Sequence, residues 1–360
     1  MSTANTAKLK EQFDAGLETR ADFTIDQPTD RYGAVDHAVW QQLYARQTAL
    51  LKGRVCDEFL AGVDRIGMPS DRVPSFDEIN ARLTPATGWQ IVAVPGLVPD
   101  QVFFEHLANR RFPVTWWMRR PDQLDYLQEP DCFHDLFGHV PLLINPVFAD
   151  YMHAYGRAAL AANDAGALPL LARLYWYTVE FGLIRDAASP NGVKIYGAGI
   201  VSSKGETLYS QQSAGPNRLG FNLERVMRTR YRIDTFQKSY FVIDDFAQLF
   251  SVAQTDFAPL LARLAAQPAF AAGMDQVKRL RAQPHHQHLA FRVAEADVVF
   301  DQPRLPVADH QPRIQHPLER RAAAGHLGHR GADDLRHHLR LQRLGQDRSR
   351  GIGAHAAGIR

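Results

Sequence analysis

Apolar positions recur mostly at three- and four-residue spacing, and alternating runs are few and short. That pattern predicts a mainly α-helical protein with a few short strands. Helices are expected over 36–51, 55–66, 76–83, 99–109, 147–162, 168–184, 223–230, 245–265 and 271–281. Ser75 with Glu78 has the form of a capping box for the third of these. Strands are expected over 90–94, 112–118 and 235–243, and a strand with a turn over 194–203, where Gly197 and Gly199 would let backbone approach a ligand. No strand–helix–strand alternation stands out, which argues against a doubly wound sheet. Residues 1–35 are polar and read as a flexible arm lying on the body; residues 36–305 form the folded domain.

Composition changes the picture chiefly at the far end. From Pro306 on, Arg, His, Gly and Ala dominate, and no aromatic follows Phe300. Such a stretch buries too little apolar surface to offset its ordering entropy, so residues 306–360 are expected to be a disordered Arg/His/Gly-rich tail. It holds seven His at no ligand spacing, which reads as solvated bias rather than a metal site. Residues 307–360 carry ten Arg against five acids, so the net charge of +2 conceals a body of −3. A slightly acidic body gives no sign of a nucleic-acid or membrane partner. No run approaches the length of a membrane span, and the polar start lacks the apolar core of a secretory signal. Two cysteines, Cys56 and Cys132, suit a reducing cytoplasm.

Chemistry concentrates in two stretches. EPDCFHDLFGHVPLL, residues 129–143, holds His134 and His139 among the acids Asp131 and Asp135. YWYTVEFGL, residues 175–183, holds Glu180 among aromatics. Two imidazoles and one carboxylate are the facial set of non-haem Fe(II) sites, leaving positions open for oxygen and a co-substrate. A five-residue separation turns about 140° on a regular helix, so the two His would not share a face, although Gly138 permits local distortion. It also excludes the zinc-protease pattern, which needs four-residue spacing. Asp131 and Asp135 stand where they could accept imidazole N–H groups. From spacing alone three readings stand: an iron site, hydrogen-bonded core histidines, and a zinc site using Cys132.

EPDCFHDLFGHVPLL, YWYTVEFGL and KIYGAGIVSSKGE, in this order and spacing, together resemble the pterin-dependent aromatic amino acid hydroxylases. The resemblance runs from about Val94 to Ile243 and is closest to the short bacterial members. It implies a catalytic-domain fold, here over 36–305, with a mononuclear non-haem iron site in a central pocket. It implies His134, His139 and Glu180 as iron ligands. Gly96, Leu97 and Val98 would form the pterin loop, Phe103 would stack on the pterin, and Asp135 would lie beside it. Arg119 would bind the substrate carboxylate, Trp176 would line the substrate site, and Ser202 and Ser203 would lie at a turn that serves both the substrate and the support of the iron ligands. Tyr175 would be the active-site tyrosine and Asp131 a supporting acid. The implied cofactors are Fe(2+) and tetrahydropterin, with O₂ as co-substrate. The implied reaction turns L-phenylalanine into L-tyrosine, in a cytoplasmic monomer. An apolar Ile233, near a position where tyrosine-hydroxylating members carry an acid, suits a bare phenyl ring. Tyrosine or tryptophan as substrate, a zinc metallohydrolase and a non-catalytic binding module are the alternatives.

Overall fold

The computed structural model describes residues 16–273 except Gln128, Ala165, Gly166, Pro190 and Asp234. The expectations for residues 1–15, for most of the 271–281 helix and for the 306–360 tail fall outside the described residues.

Three helices open the body: α1 Ala34–Leu51, α2 Asp57–Ile66 and α3 Phe76–Thr87. α2 starts two residues later than expected, because Val55 instead bridges to Ile195 and Cys56 caps the helix. The Ser75 N–H donates to Glu78 Oε1 at 2.7 Å at the start of α3, one half of the capping box. Then β1 Gln90–Val94, α4 Asp100–Ala108 and β2 Arg111–Thr115 form a parallel strand–helix–strand unit, Gln90 pairing with Arg111 through to Val94 with Thr115. The sequence reading missed this unit. All three elements were expected, but a single strand–helix–strand instance did not stand out as a unit. Ligands of such units bind outside the carboxyl ends of the strands, and both candidate-bearing loops, Pro95–Pro99 and 116–120, leave from those ends.

The centre follows as two wide turns. π1, His134–His139, runs into α5 Val140–Leu143. α6, Pro146–Asp164, starts after Asn145, whose Oδ1 accepts the Val147 and Phe148 N–H groups. α7, Leu168–Tyr175, continues as π2, Trp176–Glu180, and stops. The helix expected over 168–184 therefore ends at Glu180, and β3 Gly182–Arg185 replaces its last turn. β4 Val193–Ile195 leads into the short helix α8 Ala198–Val201, where only a turn was expected. α9 Lys204–Gln212, β5 Asn217–Gly220, α10 Leu223–Arg228 and β6 Ser239–Ile243 complete a four-stranded sheet of order β4-β3-β6-β5, parallel except between β3 and β4. The helix expected over 245–265 is two, α11 Phe246–Ala253 and α12 Phe257–Ala265. Asp245 and Asp256 cap them by accepting from Gln248 N and Ala258 N. Residues 271–273 are not helical.

One hydrophobic cluster of buried residues runs from Ile25 to Leu264. The segment before α1 joins it: the Ile25 N–H donates to Ala93 O at 2.9 Å, and the Tyr32 hydroxyl to Trp116 O at 2.5 Å. Among the described residues no helix is long and apolar enough to cross a membrane.

Candidate metal centre

His134 and His139 open and close π1. A five-residue spacing is close to one turn of a π-helix, so this wide turn puts on one face two side chains that an α-helix would separate. Their Nε2 atoms lie 3.2 Å apart. Glu180 closes π2, where the Phe181 N–H reaches back five residues to Trp176 O at 2.8 Å. Its Oε1 stands 3.3 Å from His139 Nε2 and its Oε2 3.6 Å from His134 Nε2. The structure thus brings the three expected residues to one point.

Ser202 fixes the ring of His134. Its Oγ lies 2.8 Å from His134 Nδ1 and 2.8 Å from Ala198 O. A carbonyl can only accept, so the hydroxyl proton goes to Ala198 and His134 Nδ1 must donate for both contacts to be hydrogen bonds. Burial pushes the His134 imidazole down to about 4, so it is neutral at ordinary pH. Its Nε2 then turns a lone pair towards the Glu180 carboxylate. Burial alone would raise Glu180, but His139 beside it holds it below the usual carboxylate range. Lone pair against carboxylate is repulsive unless a cation lies between, and two imidazole nitrogens with one carboxylate suit Fe(II).

The neighbouring acids do other work than expected. Asp131, fully buried, accepts Arg119 N (3.0 Å), Arg119 Nε (2.8 Å), Arg119 Nη2 (2.8 Å) and the backbone N–H of His134 (3.0 Å). Its carboxylate therefore caps the start of π1 and holds no imidazole, correcting the expectation. Burial opposes its ionisation, but Arg119 and these donors bring its pKa below the ordinary value. Arg119 is 7% exposed, and this fork pins its plane while Nη1 stays outside the pair. Asp135 Oδ2 accepts the Thr115 N–H at 2.7 Å, tying π1 to the end of β2. A carboxylate oxygen of Asp135 also comes within 4.8 Å of a ring nitrogen of each histidine. Glu180 is the better third donor, because its two oxygens face both Nε2 atoms. Burial pushes Asp135 up to about 7.

Aromatic rings join the centre to the β1–α4 loop. Phe103 meets Tyr175 edge-on at 5.7 Å, Tyr175 lies over His139 at 6.4 Å, and Phe112 packs on His139 at 4.9 Å. Gly96, Leu97 and Val98 sit in that loop, with Leu97 60% exposed. Burial raises the Tyr175 hydroxyl far above its ordinary value, so it keeps its proton. On the other side Trp176 stacks on Tyr231 at 4.2 Å. Ser203 caps α9, its Oγ accepting Glu206 N at 3.2 Å. Ile233 is 76% exposed. Gly197 and Gly199 serve a different approach from the one expected. A Cβ on Gly197 would lie 2.4 Å from Gly182 N and 2.5 Å from Glu180 O; one on Gly199 would lie 2.9 Å from Phe181. They let α8 close on the Glu180 segment.

Sequence reasoning missed Phe112, Thr115 N and the buried trio Glu206, Gln237 and Tyr240. Only the five-residue spacing with Gly138 signalled the wide turn. A shallow groove of about 470 Å³ lies at Asn222, Glu224, Asp256 and Arg263 and shares no residue with this centre.

A family model for biopterin-dependent aromatic amino acid hydroxylases matches residues 11–283. The phenylalanine-4-hydroxylase of Ralstonia nicotianae is 67% identical over 271 residues, covering 74% of this chain and 86% of that protein. The Chromobacterium violaceum enzyme of the same name is 67% identical over 248 residues, covering 69% and 82%. A crystal structure of the C. violaceum phenylalanine hydroxylase bound to cobalt superposes with a TM-score of 0.72 at 63% identity, covering 74% of this chain and 95% of that one.

Proposed function

The chain belongs to the biopterin-dependent aromatic amino acid hydroxylases, and on that premise we propose that it hydroxylates L-phenylalanine to L-tyrosine with tetrahydropterin and O₂. The observation that carries the reading is the convergence of His134 Nε2, His139 Nε2 and the Glu180 carboxylate within 3.6 Å. These three would hold Fe(II). With iron and pterin bound, the chemistry supplied is the splitting of O₂, one atom going to the pterin and one to the substrate ring.

The chain's own side chains hold, orient and exclude. Ser202 keeps His134 in the tautomer whose Nε2 can bind a metal. Arg119, fixed by Asp131, offers its remaining edge at Nη1 to the substrate carboxylate. Trp176 walls the ring side, and Ser203, the cap of α9, would contribute to the same wall. Gly96, Leu97, Val98 and Phe103 would hold the pterin, and the Tyr175 ring touches both Phe103 and His139. Asp135, tied at Oδ2 by Thr115, can carry a proton at Oδ1 beside the pterin near neutral pH. The aromatic packing keeps bulk water from the reacting centre. The catalytic domain takes in the segment from Ile25 that packs on the body, and the protein works as a cytoplasmic monomer. Each relative reported above is a phenylalanine hydroxylase, so tyrosine, tryptophan and hydrolytic readings are not favoured.

The test is an assay with phenylalanine, tyrosine and tryptophan in parallel. Tyrosine should form from phenylalanine only when Fe(II) and tetrahydropterin are both present, and Glu180→Ala should abolish it. Turnover that survives strict iron chelation would overturn the reading.

A further inference from the structure

Glu206 is buried in the first turn of α9. Its Oε1 accepts the Tyr240 hydroxyl at 2.5 Å and the Gln237 N–H at 3.2 Å. Gln237 is buried as well. Its Nε2 donates to the carbonyls of Arg232 (2.9 Å) and Thr235 (3.4 Å), and its Oε1 accepts the Trp176 indole N–H at 2.9 Å. Its amide can sit only one way, because a flip would set Oε1 against two carbonyls and an NH₂ against the indole N–H. The Trp176 ring is clamped by Tyr231 at 4.2 Å and 12° and by Phe181 at 4.6 Å and 34°. Trp176 opens π2, the turn that Glu180 closes. Three parts of the chain, α9, the approach to β6 and π2, therefore meet in one line of hydrogen bonds that ends on this indole. A buried carboxyl is costly unless it is partnered; here it is partnered by the Tyr240 hydroxyl and by the backbone N–H of Gln237, so the carboxyl holds Gln237 through its main chain.

We infer that Glu206 is a positioning residue: through Gln237 it sets the Trp176 indole, and with it the wall that holds the phenylalanine ring. This rests on the proposed reading that Trp176 lines the substrate site. The role needs an acceptor oxygen, not a charge. Burial agrees, since it holds the Glu206 carboxyl above its ordinary pKa and favours the neutral form. A glutamine keeps the acceptor; a leucine does not.

The experiment compares Glu206→Leu, Glu206→Gln, Gln237→Leu and Trp176→Ala in the full, iron-loaded chain. It measures phenylalanine affinity by calorimetry, KM for the pterin, tyrosine formed per tetrahydropterin oxidised, and melting temperature. Glu206→Leu and Gln237→Leu should weaken phenylalanine binding roughly tenfold and lower the tyrosine-to-pterin ratio, with the pterin KM unchanged, because small misplacements near the chemistry are costly. Glu206→Gln should stay close to the parent in every readout. A folded Glu206→Leu with parental affinity and ratio would overturn the inference, as would a Glu206→Gln as damaged as the leucine variant. If Glu206→Leu does not fold, Gln237→Leu carries the same test. If Trp176→Ala changes nothing, the wall reading fails and the inference with it. If Trp176→Ala is impaired and Gln237→Leu is not, only the inference fails.

Discussion

Ser202 decides what His134 can bind. One hydroxyl has one proton, and Ala198 O takes it, so the imidazole must donate at Nδ1 and bind at Nε2. Ser202→Ala should loosen both tautomer and ring angle and lower ferrous iron affinity about 10- to 100-fold. Metal titration against the parent reads this, and unchanged affinity would mean that the tautomer is set elsewhere. At this scale the sequence named the ligands but misjudged their supports. Asp131 and Asp135 lie next to the histidines in the chain, yet they hold backbone N–H groups and Arg119. Proximity in sequence does not say which donor a short acid will reach, because the turn geometry around it was not known.

Two wide turns make the site, and neither survives as an ordinary helix. In π1 the extra residue per turn lines up His134 with His139; in π2 it ends the helix with Glu180 facing them. Hydrophobic periodicity cannot register one inserted residue, so the 168–184 stretch read as a continuous helix, and the five-residue spacing read as two faces. Asp131 caps π1 locally, and the tertiary support comes from α8, which packs against both turns. Gly197 is where α8 comes closest to π2. The contacts its Cβ would make are with backbone atoms that cannot move aside. Gly197→Ala should therefore cost about 3 kcal/mol, the upper end for overpacking. Chemical denaturation measures the loss, and iron content should fall with it because Glu180 sits on the displaced segment. A variant of parental stability would show that α8 can slide.

For the whole molecule, everything assigned to the site and to the buried cluster falls between Ile25 and Leu264, within the 11–283 stretch matched by the family model. A chain ending at Pro306 should accordingly keep its melting temperature and its tyrosine production within error. Scanning calorimetry and the hydroxylation assay check this, and a clear drop in either would show that the tail takes part. The sequence by itself determined the helical class, the metal-binding residue types and, through three motifs in register, the family. These follow from local spacing and residue identity, which need no partner across the fold. Only the tertiary structure decided that Glu180 faces His134 and His139, that Ser202 rather than an acid orients the imidazole, and that Gln237 meets both Glu206 and Trp176. Each of these is a contact between distant parts of the chain. Its geometry is set by which turn widens and which helix can approach closely, and no local pattern encodes that.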